Sequence, residues 1–101
     1  MKDFLQSLNK AFDNRIRLGI MSALMANESM DFKTLKSLLD ITDGNLASHI
    51  KALEKEEFIE VQKSFIGRKP HTSYKATKAG STAFQEHINA LEQLINHQLK
   101  Q

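Results

Sequence analysis

The chain has no cysteine, only one proline and only four glycines in 101 residues. The missing cysteine excludes disulfides and thiolate metal sites and fits a reducing compartment. No apolar run approaches membrane-spanning length, and the opening MKDFLQSLNK lacks the long apolar core of a signal peptide. A soluble, cytoplasmic protein is the expectation. There is no Gly-rich phosphate loop, no Cys nucleophile and no carboxylate pair at a spacing that singles it out, so neither an enzyme nor a cofactor is expected.

Charge of either sign is nearly balanced, at +2 overall, so its distribution has to decide what it implies. Residues 1–32 carry four basic and four acidic groups, and residues 33–57 four and five. Residues 58–80 carry five basic and one acidic, a local +4, and residues 81–101 one and two. A concentrated patch of this kind is a phosphate-binding footprint, whereas dispersed lysines would be ordinary solvated surface. A chain of this length is one domain, able to bury roughly 60–68 % of its unfolded surface.

Phe4, Leu5, Leu8, Ala11 and Phe12 recur at helical spacing and predict an amphipathic helix over residues 3–12. Asp13 reads as the N-cap of a second helix from Asn14 to Ala26, apolar on more than one side. Gly19 within it costs about 1 kcal/mol relative to Ala, a cost that close approach of a neighbouring helix would offset. Met30 predicts a short strand, and Asp31 caps a helix from Phe32 to Leu39 that buries Phe32, Leu35, Leu38 and Leu39. Asp40, Ile41 and Thr42 make a turn, and Thr42 caps the following helix.

That following helix decides the reading. Its apolar stripe, Leu46, Ile50 and Leu53, occupies one side, while the other offers Gly44, Asn45, Ser48, Lys51, Ala52 and Lys55. Small polar residues at a helix start, with lysines further along, suit a DNA major groove that is entered closely and walled by phosphates. The stretch 31–57 is therefore a helix-turn-helix candidate. His49 stands at the edge between the two faces, able to meet a phosphate or to support the helix pair.

From Phe58 the apolar period changes to two, predicting a strand, and Thr72 to Ala76 predicts its partner with Tyr74 and Ala76 inward. Gly67 and Pro70 are assigned to the connecting loop, which leaves Arg68, Lys69 and His71 at a hairpin tip and Lys63 in the same basic patch. Thr77 opens a last helix, and Gly80 lets that helix lie close to what precedes it. Phe84, Ile88, Leu91 and Ile95 form a seam with Leu94 and Leu99 beside it. Carried to Lys100, this helix is about 34 Å long, too long for so small a domain to cover, so its stripe needs a partner.

The run from Asp31 to Gly80 resembles the small winged-helix transcriptional regulators related to the MarR and ArsR groups. The resemblance is carried by Asp31-Phe32, by Asp43-Gly44-Asn45-Leu46, and by Ser48-His49-Ile50 with Leu53-Glu54. It continues through Gly67-Arg68-Lys69-Pro70 with Thr72 and Tyr74, and through Thr77 with Gly80. It implies a mainly α (α+β) fold: a winged helix-turn-helix with a two-stranded wing over 58–77 and a long C-terminal dimerisation helix over 78–101. It also implies a homodimeric, sequence-specific double-stranded DNA-binding regulator, by analogy a repressor, reading an inverted repeat. Asn45, Ser48 and His49 would form the recognition surface, with Gly44 permitting close approach, Lys51 and Lys55 meeting phosphates, and Arg68 and Lys69 as wing contacts. Phe4, Leu8 and Phe12 would join Phe84, Ile88, Leu91 and Ile95 in the dimer interface.

The chain departs from many such regulators in having no cysteine sensor and no room for a separate ligand domain, so no effector is assigned. His87 and His97, ten residues or about 15 Å apart along the last helix, cannot share one ion within a chain. They read as exposed helix histidines, and no metal is expected. A competing reading is a winged-helix module for protein–protein assembly, which would keep the seam and dispense with a basic wing.

Overall fold

The computed structural model describes residues 2–99, with side chains described as far as His97. The expected reach of the last helix to Lys100 and the side chain of Leu99 lie outside the described residues. Helix α1 spans Lys2–Gln6, followed by a 3-10 turn at Lys10–Phe12 and then α2 at Arg15–Ala26. Strand β1 at Met30–Asp31 leads into α3 at Phe32–Leu39 and α4 at Asp43–Lys55. Strands β2 at Ile59–Ile66 and β3 at Lys69–Ala76 form a hairpin, and α5 runs over Lys78–Leu99. The sheet is antiparallel in the order β1-β3-β2. This is the expected α+β winged helix.

Each cap is a short polar side chain placed to accept a free amide. Asp31 accepts from Thr34 N at 2.7 Å, and Thr42 accepts from Asn45 N at 3.2 Å. The second helix is capped one residue later than expected: Asn14, not Asp13, accepts from Ile16 N and Arg17 N. The helix predicted over 3–12 is broken. Asn9 is extended, its side chain accepts from Ala11 N, and its own amide donates to His87 on α5. Local bonding by Asn competes with helix propagation, and here a tertiary acceptor takes the amide that the helix would have used.

Among the described residues the largest fully buried side chains are Phe12, Ile20, Met21, Leu35, Leu46 and Leu53. Phe12 is their aromatic centre, stacked on Phe58 at 5.3 Å and edge-on to Phe84 and His87 at 5.4 Å each. Leu38, expected inside, is 60 % exposed; it lies in the last turn of α3, and of that helix Leu35 is the residue that is fully buried. Two of the three helical glycines, Gly19 and Gly80, mark close approaches. A Cβ on Gly19 would lie 2.7 Å from Leu39 Cδ2, and one on Gly80 would run into the Phe58 carbonyl.

The fold is elongated, at 59 × 26 × 21 Å. Its radius of gyration of 15.4 Å exceeds the roughly 13 Å of a compact domain of this size. The 22 residues of α5 account for about 33 Å of helix.

Candidate nucleic-acid interface

Helix α4 is held from one side. Leu46, Ile50 and Leu53 are buried in the core, while Gly44, Asn45, Ser48, Lys51 and Lys55 are exposed on the opposite face. A Cβ on Gly44 would meet nothing within 4 Å, so this glycine answers to no packing need inside the chain. The helix start is fastened to α3 by an ion pair between Lys36 and Asp43 at 2.8 Å. An exposed pair of this kind contributes little stability, at most about 1 kcal/mol.

His49 does not share the exposure of that face. It is half-buried, and burial first, then the nearby Arg17 guanidinium of α2, lower its pKa below the usual 6.5. It is therefore neutral at pH 7, a hydrogen-bonding group and not a cation. Arg17 Nε is itself buried without a hydrogen-bond partner among the described residues. Arg17 lies outside the helix-turn-helix stretch, and no spacing rule linked it to His49.

The hairpin is longer and tighter than its sequence suggests. Ile66 pairs with Lys69 and Phe65 with Pro70, so the turn consists of Gly67 and Arg68 alone. Gly67 has φ of 63° and Arg68 is not among the positive-φ residues, the combination of a type II′ turn. Pro70, assigned to the loop from sequence, is part of the ladder. The closing rung of a two-residue turn is hydrogen-bonded, so the next rung, Phe65 opposite Pro70, is of the non-hydrogen-bonded kind and needs no amide donor. Lys69 and His71 accordingly sit on β3, and only Arg68 belongs to the turn.

Lys63, Arg68 and Lys69 are exposed, and no acidic residue intervenes between Glu60 and Glu86. His71 is half-buried and within electrostatic reach of Asp31, whose carboxyl is held below its ordinary value chiefly by the hydrogen bonds from Thr34. Its expected place at the tip is corrected to a rung opposite Ser64. Phe65 and Ile66, which lead into the turn from β2, are 73 % and 64 % exposed. Phe65 lies on the face shared with Ile59 and Val61, but the core ends before the ribbon does.

The expected dimer residues divide. Phe12 is completely buried and Phe84 is 9 % exposed: both are occupied by the protomer's own core and are removed from the interface set. Phe4 and Leu8 are half-buried, Phe4 lying edge-on to His97 at 6.0 Å. Ile88 and Leu91, each 37 % exposed, Ile95 at 59 % and Leu5 at 56 % remain open. His87 is a further correction: it is buried on α5, accepts the Asn9 amide through Nδ1 at 2.9 Å, and has its pKa lowered by burial. Among the described residues no group of three or more His, Asp or Glu could hold a metal ion, and no helix is long and apolar enough to cross a membrane.

Residues 16–95 match the family model of the winged helix DNA-binding domain. A protein of Methanocaldococcus jannaschii is 39 % identical over 85 residues, 84 % of this chain and 92 % of that one. The solved structure of a transcriptional regulator homologue from Pyrococcus horikoshii superposes with a TM-score of 0.86 at 28 % identity, covering 96 % of this chain and 97 % of that one. A protein described as a MarR-family transcriptional regulator from Enterococcus faecalis shares the fold, with a TM-score of 0.70 at 21 % identity, over 89 % of this chain and 77 % of that one.

Proposed function

The chain belongs to the family of winged helix DNA-binding domains, and on that footing we propose that it is a sequence-specific double-stranded DNA-binding transcriptional regulator, acting as a homodimeric repressor on an inverted repeat. The observation that carries this reading is α4. It is buried along one stripe and offers Gly44, Asn45, Ser48, Lys51 and Lys55 on the other, and among the described residues a Cβ on Gly44 would meet nothing within 4 Å. Asn45 and Ser48 read base edges, Gly44 admits close approach, and Lys51 and Lys55 meet phosphates. Lys63, Arg68 and Lys69 hold the backbone alongside. Neutral His49 accepts or donates one hydrogen bond at the margin, and His71 contributes from its rung on β3.

The homodimer is supported by Ile88, Leu91 and Ile95, which recur at steps of three and four along α5 and are open in the single chain. Leu5 lies open on α1, and Phe4 and Leu8 extend the same surface. A two-fold axis there repeats α4 about one DNA turn away, roughly 34–36 Å, and makes the site an inverted repeat. A small dimer so placed blocks polymerase without chemistry of its own.

The test is selection from a pool of random duplexes by the purified protein at moderate salt, followed by sequencing. The expected product is an enriched inverted repeat with half-sites about one turn apart. Retention without enrichment removes sequence recognition from the proposal, and no retention leaves a protein-assembly role in its place.

A further inference from the structure

The wing tip carries apolar side chains that its own fold does not use. Along one face of the ribbon the cross-strand rungs are Ile59 with Ala76, Val61 with Tyr74, Lys63 with Thr72, and Phe65 with Pro70. The first of these is in the core, whereas Phe65 is 73 % exposed. A non-hydrogen-bonded rung brings its two side chains closest together, so Phe65 and Pro70 form one small apolar surface. Ile66, 64 % exposed, is next to Phe65 on β2, with its side chain on the opposite face of the ribbon. A single exposed apolar residue needs no explanation, but a Phe–Pro pair sharing one face at the end of a projecting ribbon, with an exposed Ile on the other face, does.

Charge identifies the occupant. Lys63, Arg68 and Lys69 surround the cluster, and no carboxylate lies between Glu60 and Glu86. A polyanion with an apolar interior fits that surface: duplex DNA, whose phosphates line a groove floored by stacked bases. Because Gly67 and Arg68 alone close the turn, the tip is only two strands wide, and what enters a minor groove of roughly 6 Å is a projecting side chain and not the ribbon itself.

Resting on the DNA-binding reading above, we propose that the wing inserts Phe65 into the minor groove as an apolar wedge that partly unstacks one base step, while Arg68 and Lys69 hold the flanking phosphates. The consequence is a bent site. Wedges of this chemistry kink duplexes by about 20–90° and add specificity for flexible pyrimidine–purine steps that the protein does not read by hydrogen bonds.

The experiment uses the full chain and a duplex recovered by the selection above, labelled at its two ends for energy transfer and carrying 2-aminopurine at steps on the wing side. Wild type should shorten the end-to-end distance and raise 2-aminopurine fluorescence at one step. Phe65→Ala should bind roughly five- to a hundredfold more weakly and abolish both signals, while Phe65→Trp retains them. The exposure of Phe65 makes these variants safe for the fold, which far-UV circular dichroism checks. Equal affinity and equal bend for wild type and Phe65→Ala would overturn the wedge and leave the regulator reading intact, as would weaker binding by Phe65→Ala with an unchanged bend. If no duplex is retained at all, the DNA-binding reading itself has failed.

Discussion

Replacing Gly80 with Ala tests the packing that fixes the wing to α5. The added methyl would meet the backbone of Phe58, its carbonyl oxygen first and then its carbonyl carbon and Cα. No side-chain rotation relieves a collision with backbone, so the start of α5 must move. That start is tied in place: Thr77 N donates to Phe58 O at 3.0 Å, and Thr77 Oγ1 donates to Glu57 O at 2.6 Å while accepting from Gly80 N at 2.9 Å. Overpacking costs about 1–3 kcal/mol, and two strained hydrogen bonds add about 1 kcal/mol each. Helix propensity returns about 1 kcal/mol, leaving a net loss of about 3 kcal/mol. For a domain of this size that lowers Tm by roughly 12–24 °C. Gly19→Ala is the control. Its methyl meets Leu39 Cδ2 at 2.7 Å, the far end of a flexible side chain that can turn away, so propensity and crowding nearly cancel. Thermal denaturation followed at 222 nm, at one protein concentration because of the proposed dimer, separates the two. A Gly80→Ala protein that melts with wild type, or a Gly19→Ala protein that loses as much, would refute the distinction between backbone and side-chain obstruction.

Arg68→Ala with Lys69→Ala should weaken DNA binding across sequences and reduce the slope of log K against log salt by about 1.8, at 0.9 for each phosphate contact; an unchanged slope removes these residues from the backbone contact. Ile88→Glu with Ile95→Glu should give a folded monomer by sedimentation, since both positions are open in the single chain, and a variant that remains dimeric moves the interface off α5. Burial lowers the pKa values of His87 and His49 below 6.5, so their contribution to stability is complete above pH 6.5 and is lost as pH falls from there through the folded-state pKa. Urea midpoints measured from pH 7.5 to pH 5 should decline less in His87→Gln than in wild type, and parallel curves would show that His87 does not gain its proton on unfolding. Glu57 adopts a left-handed φ of 63°, so Glu57→Gly should be neutral or stabilising by about 1 kcal/mol while Glu57→Val destabilises, as read by the same urea midpoints.

What the sequence revealed, and what it hid, follows from the range of the forces. Periodicity and caps are local, and they placed α3, α4 and the strand at Ile59 close to where they lie. The stripe Leu46, Ile50 and Leu53 was legible because a helix exposes its buried face in its spacing. Asn9 was not, because its amide leaves the local chain for His87, 78 residues away. The same contact turns His87 from an apparent surface residue into a buried acceptor. Phe12 and Phe84 looked like seam residues by spacing alone, and only the third dimension shows that they meet each other within one protomer. Of the candidate site, the polar face of α4 was readable as a helix face. The exclusion of His49 from its cationic part was not, since that depends first on its burial and then on Arg17 from another helix.

The wing shows how one local feature reorganises a site. Assigning Pro70 to a loop implied a broad, irregular tip bearing Arg68, Lys69 and His71 together. Pairing Phe65 with Pro70 instead extends the ribbon to its turn, and strand order explains why proline is tolerated there. β1 covers β3 only at Ser73 and Tyr74, so β3 is a free edge at Pro70, where an outward-pointing amide would have bonded only to water. The half-buried stretch ends near Val61, and the five residues on to Ile66 project about 17 Å at the antiparallel rise. The proline removes one free donor from the β3 edge near the tip, which limits pairing with other chains there. A stiff ribbon of that reach delivers cations and an apolar tip to a fixed distance from α4, whereas a floppy loop of the same composition would lose more entropy on ordering against DNA.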